Sequence, residues 1–263
     1  MIDIIIPTYK PSHYLVECFL SLQNQTLSFD RFKVTVVLNG DKEPYYSYIQ
    51  ATLEKFSFNY SLIYTEEKGV SNARNIGLEI TNYPYILFLD DDDILTENYL
   101  VQIISRVKPN SVVVSNVFGF LKDINNPIRD YLSFDQAFQS TNLVRYRKYL
   151  SNSCCKLIPR EIINNSRFDV SLFKGEDALF MFFLSHRISN IISTDPDVIY
   201  FRRIRPLSAS RTKYSVSKEI GIGLQQQRRY TSLYIRNFTK YSFALYLSRI
   251  LAVFKVILMK MKG

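Results

Sequence analysis

Short apolar runs alternate with helix-length amphipathic stretches over residues 2–89. The apolar runs have the length of buried strands, and they are Ile2–Ile6, Lys33–Leu38, Ser61–Thr65 and Tyr85–Leu89. The stretches between them repeat apolar residues at helical spacing, and they are Tyr14–Gln23, Tyr46–Phe56 and Val70–Ile80. Strands joined by helices of this length need crossover connections. The pattern therefore predicts an α/β fold with a mainly parallel central sheet flanked by helices.

Positive charge is confined to the C-terminal quarter of the chain. Residues 1–200 carry 19 Lys and Arg against 23 Asp and Glu, whereas residues 201–263 carry 14 basic residues and one acid, Glu219. A net charge of +9 is typical of nucleic-acid binding, but a mildly acidic body with a basic end favours an anionic surface. We therefore expect no nucleic-acid partner. We place a boundary between a body at residues 1–212 and a basic amphipathic helical tail at residues 213–263.

The cysteines and the N-terminal segment indicate the cellular compartment in which we expect the protein. The three cysteines include an adjacent pair, which argues against a disulfide framework, and two histidines argue against a zinc site of mixed ligands. The segment MIDIIIPTYKP has no basic stretch and reaches Pro7 after three isoleucines, which indicates a buried strand and not a secretory signal. We expect a cytoplasmic, reducing location.

The segment YILFLDDDDIL ends an apolar strand in four carboxylates, Asp90–Asp93. Ligands of open α/β sheets bind at the carboxyl ends of strands. Adjacent carboxylates repel one another unless a cation lies among them, and oxygen ligands suit Mg²⁺ or Mn²⁺, which bridge carboxylates to substrate phosphates. A solvated acidic loop is the alternative interpretation. The buried strand immediately before the run favours the metal site.

A second segment, EKGVSNARNIGLE, predicts a helix whose first turn carries Ser71 and Arg74. A helix N-terminus presents free N–H groups, and an arginine can bind phosphate oxygens with two hydrogen bonds. An ordinary helix start capped by Ser71 is the alternative.

Two later segments carry charged residues at structured positions. LFKGEDALFMFFL opens an apolar helix with Glu176 and Asp177, where a carboxylate would either take a proton from a hydroxyl or only favour the helix dipole. In YFRRIRPLSAS the strand alternation places Arg203 and Arg205 on one face. These two arginines would either clamp a diphosphate or belong to the basic end.

Together these segments resemble the family 2 glycosyltransferases with the GT-A fold over about residues 2–210. IIIPTYK is similar to the family's first strand, HYLVECFLSLQNQT to its first helix, GVSNARNIGL to its third segment, and FLDDDD to its metal-binding Asp-x-Asp signature. SNSCCKLIPREI, RFDVSLFKGEDALF and YFRRIRPLSAS follow in the family's order. The resemblance implies a GT-A, Rossmann-like domain with a C-terminal helical extension. It also implies an inverting single displacement that moves a sugar from a nucleotide donor to a hydroxyl.

The same match implies roles for individual residues. Asp177 would be the general base, Glu176 would contact the sugar or the acceptor, and Asp92 with Asp90 would hold Mn²⁺ or Mg²⁺. The nucleotide sugar would be bound by Pro7, Thr8, Tyr9, Asn39, Asp41, Arg74, Asp90, Asp91, Arg203 and Arg205.

One departure from the family affects the nucleotide base. Where the family usually has two aspartates after the second strand, this chain has Asn39, Gly40 and Asp41. An aspartate there usually accepts a hydrogen bond from the base, whereas Asn39 offers a carbonyl oxygen instead and Asp41 is the other candidate. A UDP-sugar is the favoured donor.

The C-terminal tail predicts a location. Its second half has a broad apolar face that includes Phe243, Leu251 and Phe254 opposite a face with Arg249 and Lys255. These charges argue against a spanning helix and favour a helix lying in the plane of an anionic membrane. The alternatives are packing on the body or a homodimer. We expect truncation after residue 211 to leave the metal and nucleotide sites largely intact.

These interpretations combine into one functional expectation. The enzyme would act on a glycan or lipid-linked acceptor at the inner face of the cell membrane, in bacterial surface polysaccharide synthesis. A nucleotidyltransferase is an alternative, but PTYKPSHYL offers only Lys10 where that class needs a basic, glycine-rich loop. A non-catalytic binding module with a basic tail is a second alternative, against which the acidic cluster argues.

Overall fold

Strands and helices alternate through the body much as the apolar pattern predicted. The computed structural model describes residues 1–205 and 214–262. Its strands are β1 (Ile2–Thr8), β2 (Phe32–Asn39), β3 (Tyr60–Thr65), β4 (Tyr85–Phe88), β5 (Ile94–Leu95), β6 (Ser111–Val114), β7 (Asn116–Phe120), β8 (Ile128–Arg129), β9 (Gln139–Ser140), β10 (Lys156–Pro159), β11 (Asn190–Ser193) and β12 (Ile199–Arg203). Its α-helices are α1 (Tyr14–Gln23), α2 (Tyr45–Leu53), α3 (Val70–Ile80), α4 (Tyr99–Ser105), α5 (Arg160–Ile163), α6 (Glu176–Leu184), α7 (Val216–Arg236) and α8 (Phe243–Lys262).

The strands form a large sheet and a small one. The large sheet has the order β3-β2-β1-β4-β10-β6-β11-β9, and the small sheet has the order β5-β12-β7-β8. Strand β1 runs parallel to β2 and β4, whereas β10 runs antiparallel to β4 and β6. The carboxyl ends of β1, β2 and β4 consequently lie at one edge of the large sheet. That edge is where ligands of open α/β sheets bind.

Helix α3 lies directly against β1. A Cβ built on Gly77 would come 2.5 Å from Cγ2 of Ile5, so only glycine permits this approach. The close packing holds α3 beside the sheet, and Arg74, the fifth residue of this helix, lies in its second turn and not in the first turn where the sequence placed it. The hydrophobic core that supports this arrangement includes Ile4, Val36 and Leu87, all fully buried.

Helices α7 and α8 pack on the body through a second hydrophobic cluster. Leu172 and Phe182 from the body are buried with Tyr230 of α7, Leu245 of α8 and Tyr241 from the link between these helices. The Phe182 ring meets Tyr230 edge-on at 5.3 Å and stacks on Tyr241 at 5.1 Å between centroids. The boundary predicted at residue 212 lies outside the described residues. The helices beyond it share a core with the body, as the alternative interpretation of the tail proposed.

Arg249 corrects the predicted distribution of charge on α8. The sequence pattern placed it on the polar face, but it is 4% exposed. Its Nη2 donates hydrogen bonds to the carbonyl oxygens of Leu150, at 2.7 Å, and Arg147, at 3.2 Å. Burial lowers the pKa of its guanidinium. The prediction was wrong because the carbonyl oxygens of Leu150 and Arg147 accept hydrogen bonds from this arginine inside the fold.

The outer face of α8 remains apolar and exposed. Five residues at spacings of three or four form this apolar stripe: Phe243, Leu247, Leu251, Phe254 and Leu258. The spacing places them on one side of the helix. Among the described residues, no helix combines the length and apolar character needed to cross a membrane.

Candidate active site

Hydrogen bonds join the chain segments that meet at the carboxyl edge of the sheet. The Thr8 hydroxyl donates to Oδ2 of Asp91 at 2.5 Å, which ties the end of β1 to the acidic run. The Asn39 amide donates to the Thr8 carbonyl oxygen at 2.7 Å and accepts from the Gly69 N–H at 2.9 Å. Asn39 therefore connects β1, β2 and the start of α3. These bonds bring Thr8, Asp91 and Asn39 together, and their predicted contact with the nucleotide sugar stays a prediction.

The contacts at the end of β2 show which side chains are available to bind the base of a nucleotide. Asn39 is 3% exposed, and both polar atoms of its side chain already bond to the protein. Asp41 is far more exposed and pairs with Lys10 at 3.1 Å and with Lys68 at 3.3 Å. The Lys10 hydrogen bond and then the Lys68 one lower the pKa of this carboxyl. Tyr9, 46% exposed, presents its ring to both ammonium groups at 5.5 and 5.8 Å. The exposed polar groups at this end of the site are thus Asp41 and its two lysines, with the Tyr9 ring beside them.

The end of β12 makes hydrogen bonds to the acidic run. The Arg203 N–H donates to Oδ1 of Asp93 at 2.8 Å, and its Nε donates to the Asp92 carbonyl oxygen at 2.9 Å. Arg205 lies two residues farther along the chain, and its Nε is 2.5 Å from Oδ2 of Asp92 in an ion pair. The Asp92 carboxylate therefore already has a cationic partner within the protein.

The sequence placed Arg203 and Arg205 on one face, but the two arginines differ in exposure. Its side chain is 2% exposed, and Nη2 pairs with Glu17 of α1 at 2.6 Å. Its guanidinium lies between the rings of Tyr14, at 4.1 Å, and Phe120, at 4.4 Å. Because these partners enclose the guanidinium, Arg203 supports the acidic run from within the fold. Arg205, whose side chain is 39% exposed, is the accessible arginine of the two.

Burial and repulsion from neighbouring carboxylates raise the pKa values of Asp91 and Asp92. Burial first, and then Asp92 and Asp90, raise the pKa of Asp91 to about 7 against the hydrogen bond from Thr8. Burial and Asp90 raise the pKa of Asp92 to about 6, although Arg205 and Arg203 oppose the shift. Burial is the largest cause of both shifts, and repulsion among the carboxylates adds to it. A cation placed there would relieve the repulsion.

Arg74 joins the acidic run to the start of α6. Its Nη1 donates to Oδ1 of Asp177 at 2.9 Å, and its Nη2 donates to Oδ1 of Asp90 at 3.1 Å. The residue is 3% exposed, with the rings of Phe168 and Phe88 at 5.5 and 6.0 Å from the guanidinium. One buried guanidinium therefore brings together two carboxylates that are far apart in sequence. Its predicted contact with donor phosphates or base stays a prediction.

The carboxylates at the start of α6 have different surroundings. The Ser153 hydroxyl donates to Oδ1 of Asp177 at 2.7 Å, the same oxygen that accepts from Arg74. Glu176 lies 3.8 Å from Nη1 of Arg74. Burial, followed by the Asp177 charge, raises the pKa of Glu176 to about 7. Both carboxylates are partly accessible, with 22% of the Asp177 side chain and 14% of the Glu176 side chain exposed.

The segment SNSCCK supplies site residues to which the sequence pattern gave no role. Besides Ser153, the Cys154 thiol donates to Oδ1 of Asp90 at 3.5 Å. The buried Lys156 ammonium donates to the carbonyl oxygens of Asn152, at 2.8 Å, and Cys154, at 2.6 Å. Burial lowers the pKa of Lys156 to about 8. The match of SNSCCKLIPREI to the family was the only signal, because no spacing within the segment reveals which partner each side chain has.

The donor atoms at the acidic run suit a hard cation. The Asp90 side chain is 42% exposed, and Asp92 presents a carboxylate that already attracts the Arg205 guanidinium. Two carboxylates together with substrate phosphate oxygens are the usual ligand set of Mg²⁺. Over residues 1–205 and 214–262, no three His, Cys, Asp or Glu side chains group as a complete metal site. The proposed metal ligands fit a cation that shares its coordination with a substrate.

Comparison with known proteins identifies relatives. The chain is 27% identical over 182 residues to minor teichoic acid biosynthesis protein GgaB of Bacillus subtilis, a match that covers 67% of this chain and 20% of GgaB. It is 25% identical over 232 residues to glycosyltransferase GlyG of Streptococcus pneumoniae, covering 82% of this chain and 75% of GlyG. The chain thus spans a fifth of the length of one relative and three quarters of the other.

Solved structures of similar fold include that of S. aureus TarS residues 1–349 in complex with UDP-GlcNAc. It matches with a TM-score of 0.70 and 19% identity, over 87% of this chain and 66% of that chain. Another structure of TarS 1–349 matches with a TM-score of 0.73 and 17% identity, over 96% of this chain and 71% of that chain. The likeness confirms the predicted GT-A fold. The sequence pattern of Glycosyl transferase family 2 matches residues 3–173. The chain belongs to glycosyl transferase family 2.

Proposed function

We propose that this chain is an inverting glycosyltransferase that moves a sugar from a UDP-sugar to a hydroxyl of a glycan or lipid-linked acceptor. One observation carries the proposal. Arg74 donates to Asp90 and Asp177 at once, so the acidic run and the residue proposed as general base belong to one site. The relatives GgaB, named for teichoic acid biosynthesis, and TarS, named as a poly(ribitol-phosphate) β-N-acetylglucosaminyltransferase, favour a role in bacterial surface polysaccharide synthesis.

The nucleotide is assigned to the carboxyl ends of β1 and β2. Tyr9 offers an exposed ring for the nucleoside, and Asp41 offers a carboxylate to a base N–H after exchanging or sharing its lysine partners. Lys10 and Lys68 add positive charge for the phosphates. Pro7 and Thr8 end β1 and line the same edge from within the sheet. The UDP and UDP-GlcNAc complexes of TarS support UDP as the nucleotide.

Asp92 and Asp90 are the proposed ligands of a divalent cation, Mn²⁺ or Mg²⁺. When bound, the cation would offset the negative charge of the diphosphate and of the carboxylates around it. Arg205 would then exchange its carboxylate partner for a phosphate oxygen. Its side chain is accessible, and its Nε already lies 2.5 Å from Oδ2 of Asp92.

Asp177 is proposed to accept the proton of the acceptor hydroxyl. Oδ1 of Asp177 is occupied by Ser153 and Arg74, which leaves Oδ2 for the acceptor. As the proton moves to Oδ2, the acceptor oxygen forms its bond to the anomeric carbon, and the bond from that carbon to the diphosphate oxygen breaks on the opposite face. The electron pair leaves with the nucleoside diphosphate, whose growing charge Arg205 helps to stabilise. Glu176 lies beside the base and is placed to contact the sugar or the acceptor.

Membrane attachment is proposed for the apolar stripe on α8. Leu251 and Phe254 are 57% and 52% exposed, and Lys255 lies exposed beside them. The exposed cations Arg228, Arg236 and Lys240 on and after α7 add positive charge near an anionic leaflet, to which each contributes about 1 kcal/mol. A peripheral position at the inner face of the cell membrane would bring the enzyme to a lipid-linked acceptor. A homodimer through the same stripe is the competing outcome.

A donor screen tests the proposed function. Wild-type protein and Asp177→Asn are incubated with a panel of nucleotide sugars and Mn²⁺, Mg²⁺ or EDTA, and nucleotide release is measured with and without glycan acceptors. We expect one UDP-sugar to be consumed by the wild type in the presence of a cation. Asp177→Asn should bind that donor normally and turn over roughly a hundredfold more slowly or worse, the usual scale for loss of a general base. Near-native turnover by Asp177→Asn would exclude Asp177 as the base, and consumption of no nucleotide sugar would refute the function.

A further inference from the structure

The segment that leads into α6 is held by its backbone at both ends. We call residues 168–175 the lead segment, because they directly precede Glu176 and Asp177. At its first residue, the Asn75 side chain of α3 pairs with the Phe168 peptide: Nδ2 donates to the Phe168 carbonyl oxygen at 3.0 Å, and Oδ1 accepts from the Phe168 N–H at 2.8 Å. This end is therefore fixed to the same helix that carries Arg74.

The other end is held by one face of α7. Gln225 Nε2 donates to the Ser171 carbonyl oxygen at 3.0 Å, and Gln226 Nε2 donates to the Lys174 carbonyl oxygen at 2.7 Å. Arg229 donates to the Ser171 hydroxyl at 2.7 Å. Farther toward the start of α7, Glu219 pairs with the Lys174 ammonium at 3.2 Å. Helix α7 thus contacts the lead segment through a row of hydrogen bonds.

Gln226 lies at the point where the lead segment turns into α6. Gly175 has a φ of +79°, a left-handed conformation that lets the chain reverse before the helix begins. A Cβ at Gly175 would come 2.5 Å from Nε2 of Gln226, so the two residues are in direct contact. The carbonyl that Gln226 holds belongs to Lys174, three residues before Asp177.

We infer that Gln226 is a positioning residue for the transfer reaction, and this inference rests on the proposed function. Its hydrogen bond fixes the last peptide before Gly175, and through it the start of α6 and the Asp177 carboxylate. Without this bond, the peptide between Lys174 and Gly175 is held less firmly, and the first turn of α6 can shift relative to Ser153 and Arg74. Displacements of about 1 Å at a reacting group can lower a rate by roughly a hundredfold. The nucleotide is assigned to the ends of β1 and β2, so we expect donor affinity to change less than kcat.

The test compares Gln226→Met with Gln227→Met. Methionine keeps the length of the side chain and removes the amide donor. Gln227 is the neighbouring glutamine on the same helix, and no hydrogen bond of its side chain is seen among the described residues. We expect Gln226→Met to lower kcat about tenfold, with the donor KM and the melting temperature close to those of Gln227→Met. Hydrogen exchange of peptides covering residues 169–180 should be faster in Gln226→Met only.

The outcomes separate this inference from the proposed function. Equal kcat and equal exchange in the two variants would overturn the positioning role, and so would a loss of donor affinity as large as the loss of kcat. If Gln226→Met does not fold, Gln226→Glu keeps the size of the side chain, places an acceptor against the Lys174 carbonyl, and should give the same selective loss of kcat. If Asp177→Asn retains full turnover, the base assignment fails, and the exchange data alone decide whether Gln226 holds the segment.

Discussion

The carboxyl edge of the large sheet and the C-terminal helical pair both contact the region where α6 begins, and they are built differently. At the sheet edge, charged side chains bond to one another, as in the links from Arg74 to Asp90 and Asp177. On the helical side, α7 bonds to two main-chain carbonyls of the lead segment and, through Glu219 and Arg229, to its side chains. An apolar cluster joins the helices to the body, while the outer face of α8 stays exposed. The edge thus holds the residues proposed for the chemistry, whereas the helices hold the segment that leads to Asp177.

The strongest test of this comparison concerns whether the helices are integral to the fold. Leu245 on α8 is 1% exposed, whereas Leu247 on the same helix is 42% exposed. We expect Leu245→Ala to lower the free energy of unfolding by about 2–5 kcal/mol, because it leaves a cavity in the second cluster. Leu247→Ala should change it by less than about 0.5 kcal/mol. Chemical denaturation measures both, and equal small effects would show that the helices are a loosely attached tail.

This expectation replaces the one drawn from the sequence, in which truncation after residue 211 leaves the sites largely intact. A truncated protein would lose the partners of Phe182 and of the lead segment. The amphipathic pattern of α8 showed that one face is apolar but could not show that its residues are divided between a buried side and an exposed one. Arg249 is the clearest case, since its buried carbonyl partners come from residues about a hundred positions earlier.

At the sheet edge the largest expected effect is on cation-dependent binding. Asp92→Asn should weaken Mn²⁺-dependent binding of UDP roughly hundredfold or more, because loss of even a supporting group costs up to about a hundredfold at metal sites. The control is Asp135→Asn, an exposed aspartate that pairs with Arg129. Titration calorimetry with Mn²⁺ and with EDTA measures the effect. Unchanged affinity in Asp92→Asn, or full wild-type affinity in EDTA, would rule out a cation held by this residue.

The positions of several residues at this edge could be predicted from the sequence. The family pattern places Thr8, Asp90, Asp92 and Asp177 next to the ends of strands and helices. The partners of the arginines could not be predicted. Arg203 meets Glu17, and that contact depends on how α1 packs beside the small sheet, whose pairings link segments far apart in the chain. The alternation of residues along a strand shows on which side of the sheet a side chain lies. It does not show which other residues cover that side.

An intermediate effect is expected at the exposed face of α8. Leu251→Ser should lower partition onto anionic vesicles about tenfold, since burying a leucine contributes about 1.5–3 kcal/mol. Leu121→Ser is the matched control, because Leu121 is 59% exposed and Leu251 57%. Co-sedimentation at low and high salt, with gel filtration of the same proteins, makes the measurement. If Leu251→Ser instead dissolves a dimer and leaves vesicle binding unchanged, the stripe is a protein interface.

The smallest expected effect concerns pH and Glu176. Its folded pKa of about 7 exceeds the ordinary value of 4.5, so the folded state holds more protons than the unfolded state between these values. The free energy of unfolding therefore falls as the pH rises through this window and levels off above it. Glu176→Gln should reduce the fall in melting temperature between pH 5 and pH 8 by about 2–4 °C, which corresponds to roughly 1 kcal/mol in a chain of this size. An unchanged slope would mean that Glu176 is not the titrating group.

Gln225 and Gln226 donate their hydrogen bonds to peptide carbonyls of the lead segment. The type of partner affects how the sequences of related enzymes can diverge here. Carbonyl oxygens are present whatever side chain a residue carries, so positions 171 and 174 can change identity without loss of these two bonds. The sequence of the lead segment can therefore drift while the start of α6, and with it the Asp177 carboxylate, keeps its place. Related enzymes can differ along this segment and still share its geometry.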